Sequence, residues 1–450
     1  MDRDAASSGL TRRGFLGAAG ATAAGLALAA CGGNSTKSAG GGGSSGGGGS
    51  GKKLKFWNMP WGEPIFNTKD KELVEAYKPA HGMPEASYQV VQWANFTQVF
   101  SSAIDSNTGP AVSSGGGTQV FLYDHQGKIA HADHLLDSWK SNGLYNDFLP
   151  GLLSSMKTKA GYVAVPYNLD MRVLWYSKPL LDRAGAKVPT DWQSYLDAAA
   201  ALKKINVYGY GTGAGSGNYT GDHILVSWMI NNGGGLFDAD QKPNCVTPQN
   251  IEAMNFVLEM VHKGYVDPAC PTYTSQNVQT QWKDQKFGLG FDTGGLAENI
   301  GGSAGKNLFV GTPLASPSGK KGMIYFPNNI MMYKNTPSQK GSEAFLTYYY
   351  QNMKKLWTAG VMPDLPPLKS ITSTSQFQSN ANNVKIIKEW QPISHTWGAP
   401  GGEGLFLGVT TVDGTQIMNN FTQAILGGRT TAKAALTTLQ SGIESAMKSL

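Results

Sequence analysis

A chain of 450 residues is longer than one hydrophobic core ordinarily organises, so two domains are expected. Its 37 Lys and Arg against 31 Asp and Glu leave a formal charge of +6, but the basic residues are scattered. That excludes the concentrated positive face by which nucleic acid is held. Its three cysteines form no Cys-x-x-Cys pair, which removes dithiol redox chemistry and thiolate zinc.

The first segment is an address. Thr11-Arg12-Arg13-Gly14-Phe15-Leu16 precedes an uncharged, Ala- and Gly-rich stretch that ends at Leu28-Ala29-Ala30-Cys31. This resembles a twin-arginine export signal joined to a lipobox, and the stretch falls short of the roughly 20 strongly apolar residues of a bilayer span. Residues 1–30 are therefore expected to be cleaved, leaving Cys31 lipidated. Residues 31–52, nearly pure Gly and Ser after that cysteine, bury no core and make a flexible tether. Cys245 and Cys270 remain in the exported body, where a disulfide between them is expected.

The body then alternates strand and helix signals. Leu54–Asn58 reads as a strand, Asp70–Tyr77 as a helix with Leu73, Val74 and Tyr77 on one face, and Tyr88–Trp93 as the next strand. Phe96, Val99, Phe100, Ala103 and Ile104 recur at helical spacing, and Gln119–Tyr123 reads as a third strand. Further on, Thr190 and Gln193 suggest a capping box, Thr247-Pro248 opens a helix that Gly264 stops, and Thr336-Pro337 opens another. The chain from Thr415 onward is helical. Such alternation predicts a parallel or mixed sheet covered on both faces. In such sheets ligands lie beyond the carboxyl ends of the strands, which singles out Trp57, Asn58 and Trp61, then Trp93 and Asn95, then Asp124 and His125.

The segment Ala164-Val165-Pro166-Tyr167-Asn168-Leu169-Asp170-Met171-Arg172-Val173-Leu174-Trp175-Tyr176-Ser177-Lys178, continued by Ala184-Gly185 and Val188-Pro189-Thr190-Asp191-Trp192, resembles the family 1 extracellular solute-binding proteins. Members are similar to maltose-binding protein and deliver sugars to ABC importers. Weaker echoes extend to Val310-Gly311-Thr312-Pro313-Leu314 and Ile330-Met331-Met332-Tyr333-Lys334. The chain departs from many relatives at Phe326-Pro327-Asn328-Asn329, where they place a Gly-Gly pair, and in lacking a Trp after Gly294-Gly295. The resemblance implies an α/β periplasmic-binding fold of type II. Its two lobes would be 53–169 plus 323–362 and 170–322 plus 363–450, joined by a hinge crossed near Asp170, near Met323 and beyond Met362.

A sugar site needs flat aromatic faces and a few planar polar groups. The stacking candidates are Trp57, Trp61, Trp93, Trp228 and Trp397, and the hydrogen-bonding candidates are Asn58, Asp124, Asp170, Arg172, Asn328 and Glu403. The expected function is capture of a sugar or oligosaccharide for permease subunits of an ABC importer, by a monomer held at the outer membrane face through its lipid alone. No cofactor, metal, nucleic acid or catalysis is expected. His131-Ala132-Asp133-His134 lacks a matching ligand cluster, Tyr348-Tyr349-Tyr350 reads as packing, and Gly209–Gly217 fits neither nucleotide-loop spacing. The open alternative is a binder or sensor on the same fold for a peptide, polyamine or anion.

Overall fold

The computed structural model describes residues 52–93, 96–402 and 404–450; the signal, Cys31 and the tether lie outside them. In strand β1 (Leu54–Asn58) Leu54 and Phe56 pack into one core and Trp57, on the opposite face with the exposed Lys55, into another. It pairs in parallel with β2 (Ala86–Val90) on one side and with β3 (Val112–Gly115) on the other. Helix α1 (Pro64–Glu75) begins six residues earlier than its apolar face suggested, with Pro64 opening it. Helix α2 (Phe96–Asp105) follows β2 and buries Phe100 and Ile104.

The expected strand Gln119–Tyr123 is instead a helix, α3 (Gln119–His125), and the third strand lies upstream of it. The reason is burial. All four residues of β3 are buried, so its Val-Ser-Ser-Gly sequence shows no alternation, while Val120, Phe121 and Tyr123 bury strand-favouring side chains from a helix.

The next strand organises the molecule. β4 (Val165–Ser177) is 13 residues long, and its partners change in mid-course. Val165 to Met171 pair with β7 (Met323–Tyr333), which itself pairs with β3. Arg172 to Tyr176 pair with β5 (Leu289–Thr293), and Trp175 to Ser177 with β6 (Leu308–Val310). The sheet therefore runs β2-β1-β3-β7-β4-β5, with β4 exchanging β7 for β5 between Met171 and Arg172.

Helices cover both faces. α4 (Trp192–Lys204) starts one residue later than expected, because the box is formed by Asp191 and Ser194 rather than Thr190 and Gln193. Helix α5 (Thr220–Asn231) is buried on nearly every side. α6 (Pro248–His262) has the expected Thr247 cap, whose hydroxyl accepts from the Asn250 N–H at 3.2 Å. Gly264, at φ +67°, turns the chain after it. For α7 (Gln339–Asn352) the cap is Ser338, not Thr336. The C-terminal helices are α8 (Gln416–Leu426) and α9 (Ala432–Met447). No helix among the described residues is long and apolar enough to cross a membrane.

The tyrosine run on α7 is packing, as expected. Tyr349 donates to the Asp70 carboxylate at 2.6 Å and lies 2.9 Å from the Tyr167 hydroxyl, while Tyr350 donates to the Val165 and Pro166 carbonyls. Cys245 and Cys270 correct the sequence reading, since both are free, buried thiols. They sit before and after the 15-residue α6, a rod of about 22 Å. Burial pushes the Cys245 thiol up to about 12, and its S–H points at the Leu236 carbonyl.

Candidate functional site

The turn after β1 is fixed from inside. Asn58 is fully buried. Its amide donates to Asp70 at 2.5 Å, and its carbonyl oxygen accepts from the Met59 N–H at 2.9 Å, the Trp61 indole at 3.0 Å and the Ser114 hydroxyl. Buried polar groups so fully paired hold a loop in one conformation. The result is a Trp61 ring set edge-on between Trp93 at 5.0 Å and Tyr167 at 5.9 Å.

Trp61 forms one wall of a cleft of about 1120 Å³. Opposite and around it stand Asp170 and Thr293 from the sheet, Glu298, Lys306 and Phe309, and then Trp357, Asp364, Phe377, Asn380 and Asn382 from the segments after β7. Aromatic surface alternates here with carboxylates, amides and one ammonium, the mixture that binds a ligand having both apolar faces and hydroxyl edges.

Behind Asp170 lies a charged cluster. Asp170 pairs directly with Phe326, Asn168 with Asn328, and Arg172 with Thr293. Directly paired residues share a face and alternate residues along a strand return to it, so all six side chains share the face of the sheet from which Asp170 and Thr293 line the cleft. Arg172 is buried, donates to Asp170 at 2.5 Å and to His223 Nδ1 at 2.7 Å, and lies 5.0 Å over the Phe326 ring. Burial pushes the Asp292 carboxyl up to about 6, against the pull of the Thr293 N–H and of Arg172. Asp364 is also held well above the ordinary carboxylate range, by desolvation and then by the charge of Asp170, with Arg172 opposing. His223 is pushed down, first by burial and then by Arg172, so it is neutral near pH 7.

The sequence-derived candidates divide accordingly. Trp61 and Asp170 line the cleft. Trp93 is 39% exposed and braces Trp61, its indole donating to the Pro60 carbonyl. Arg172 stands directly behind Asp170, and Trp397 lies 5.9 Å from Phe326 and 5.7 Å from His223. Asn328 is buried and donates to Asn168, and Asn58 is the clamp already described. Three candidates need correction. Trp57 is buried against Phe100 in a second core on the face of β1 opposite Phe56, and Trp228 is enclosed by Trp192, Tyr195, Phe256 and Phe291. Asp124 sits at the end of α3 rather than past a strand and pairs with His131 at 2.7 Å. Asn95 and Glu403 lie outside the described residues.

His223, Asp292, Phe326, Asp364 and Phe377 were missed by sequence reasoning. His223 alone carried a signal, as an imidazole within the apolar run of α5. His134 pairs with Glu343, and no group of three metal-ligating side chains occurs among the described residues.

One acid elsewhere gives a clean pH prediction. Asp222 on α5 is buried, and burial pushes its pKa up to about 7 against the opposing pull of Thr422. A raised folded-state pKa stabilises at low pH and is lost as pH rises through that value. Asp222→Asn should therefore match the wild type near pH 4 and exceed it by about 4 kcal/mol at pH 8, a tenfold change in an ionisation equilibrium being worth about 1.4 kcal/mol. Urea unfolding at the two pH values reads the difference; a variant less stable at pH 8 refutes it.

A sheet whose longest strand passes between two α/β lobes, with an aromatic and polar cleft at the crossing, defines a ligand-capturing fold of the type II periplasmic class. The chain belongs to the bacterial extracellular solute-binding protein family, whose model matches residues 64–355. A binding protein of Brucella abortus (strain 2308) is 23% identical over 318 residues, 69% of this chain and 75% of that relative. A sugar transporter protein of Arthrobacter chlorophenolicus A6, solved with bound laminaribiose, is 46% identical at a TM-score of 0.80, covering 88% of this chain and 99% of that one. The GacH receptor of Streptomyces glaucescens GLA.O, solved unliganded and with acarbose, superposes at a TM-score of 0.70 with 20% identity over 88% and 99% of the two chains.

Proposed function

We propose that this protein is the extracytoplasmic receptor of an ABC importer, that it captures a sugar or short oligosaccharide in the cleft beside Asp170, and that it performs no catalysis. The observation that carries the reading is the cleft wall itself, where Trp61, rigid on its Asn58 and Ser114 bonds, faces carboxylates and amides. Sugar rings stack on such a face while their hydroxyls are taken up by planar polar groups. The laminaribiose-bound relative supports the same class of ligand. The lobes are assigned as 53–169 plus 323–362 and 170–322 plus 363–450, with β4 crossing between them at Asp170. Ligand seated against both would hold them closed, and the closed form is what permease subunits would read.

The test is a fluorescence titration of the protein from Lys52 onward with mono-, di- and oligosaccharides. Saturable quenching or enhancement by one sugar class is expected; silence from folded protein would reject the sugar assignment.

Export and anchoring belong to the same reading. Lipid on Cys31 and the Gly/Ser tether would keep a monomeric receptor at the outer face of the cell membrane. Radiolabelled fatty acid should be incorporated by the wild-type chain and not by Cys31→Ala. Label retained by the variant would overturn the anchor.

A further inference from the structure

Behind the cleft, His223 offers a hydrogen-bond donor that nothing among the described residues takes up. Its Nδ1 accepts from Arg172 at 2.7 Å, and an arginine never accepts, so the ring proton of the neutral imidazole is on Nε2. That Nε2 is buried and has no hydrogen-bond partner among the described residues. The Asp413 carboxylate stands 3.7 Å away, beyond direct hydrogen bonding. Asp413 is itself held from the other side, its second oxygen accepting from the Thr118 hydroxyl at 3.1 Å. The Trp397 indole N–H, 2% exposed and packed beside the His223 ring, also lacks a hydrogen-bond partner among the described residues.

A buried donor left unmatched costs about 1–3 kcal/mol, and a ligand that supplied the acceptor beside Asp413 would recover that cost. The facing groups say what kind of acceptor. It must accept from His223 and donate to Asp413, and an alcohol hydroxyl does both at one oxygen. An oxygen about 2.8 Å from each group spans a gap of up to roughly 4.5 Å when its two bonds are tetrahedral, so it enters with less than about 1 Å of opening. An anion would meet the Asp413 charge, and an ammonium would find no acceptor on His223.

We infer that His223 and Asp413 are a specificity-determining pair that reads one hydroxyl of the bound sugar behind the Asp170 wall of the cleft, with Arg172 fixing the imidazole tautomer and Thr118 fixing the carboxylate. The inference rests on the sugar-capture reading. Arg172 also bonds Asp170, so the pair and the open cleft are joined by a single guanidinium.

The probe is laminaribiose together with its single-deoxy derivatives, with affinity measured by calorimetry or by tryptophan fluorescence. His223→Leu is expected to weaken laminaribiose binding tenfold or more, and His223→Gln, which keeps an N–H, to recover part of that loss. One deoxy derivative should bind the wild type at least tenfold worse than the parent sugar yet bind His223→Leu as well as the parent does. A merely structural histidine would weaken all derivatives alike. Should His223→Leu fail to fold, Asp413→Ala carries the same comparison. Wild-type binding with equal affinity in the variants overturns the pair alone; wild-type silence toward the whole sugar panel overturns the sugar reading and the pair with it.

Discussion

Replacing Arg172 with leucine is expected to destabilise the protein by about 3 kcal/mol, the lower end for removing one partner of a buried ion pair. The guanidinium is the cation of a cluster containing Asp170, Asp292 and Asp364, and it also holds His223. Leucine fills part of the volume but leaves those carboxylates without their counter-charge. The sign of the pH dependence follows. With the arginine gone, carboxyls already raised above their ordinary range rise further, and such groups stabilise the fold below their unfolded pKa and lose that contribution as pH climbs. The deficit should therefore be larger at pH 8 than at pH 5. Urea unfolding at both values, read as midpoint at constant slope, checks it; a variant as stable as wild type at pH 8 would show that the cluster needs no cation.

The largest expected effect on binding is at Trp61. Trp61→Ala should weaken sugar affinity about a hundredfold, close to the roughly 2 kcal/mol or more lost when a rigid aromatic anchor is truncated. The ring is held by Asn58 and Ser114 and braced by Trp93 and Tyr167, so it presents its surface without an ordering cost. Trp61→Phe keeps a face but loses both indole bonds and should fall between the two. Unchanged affinity in the alanine variant, with an unchanged unfolding midpoint, would remove Trp61 from the site.

The sheet was legible wherever one face of an element is wet. Helix α6 could be read from Thr247-Pro248 to Gly264 because caps and breakers act within a few residues. Strand β3 could not, since a strand buried on both faces leaves no alternation and the apolar run after it reads equally well as strand or helix. The site was half legible for a similar reason. Trp61 and Asp170 follow from strand ends and from a family-like segment, both local signals. His223, Phe326 and Asp364 join them only through the β4–β7 register and the packing of α5, which no short window contains. Trp57 and Trp228 carry the composition of a sugar site but point into cores, and side-chain direction is settled by tertiary packing.

The central claim is that a sugar seated at Asp170 draws two lobes together. Small-angle scattering of the protein from Lys52 onward, with and without a saturating concentration of the sugar that a fluorescence titration of the same sample selects, measures that closure. The account predicts saturable binding accompanied by a smaller radius of gyration. Folded protein that neither binds any sugar of the panel nor contracts in its presence would contradict it.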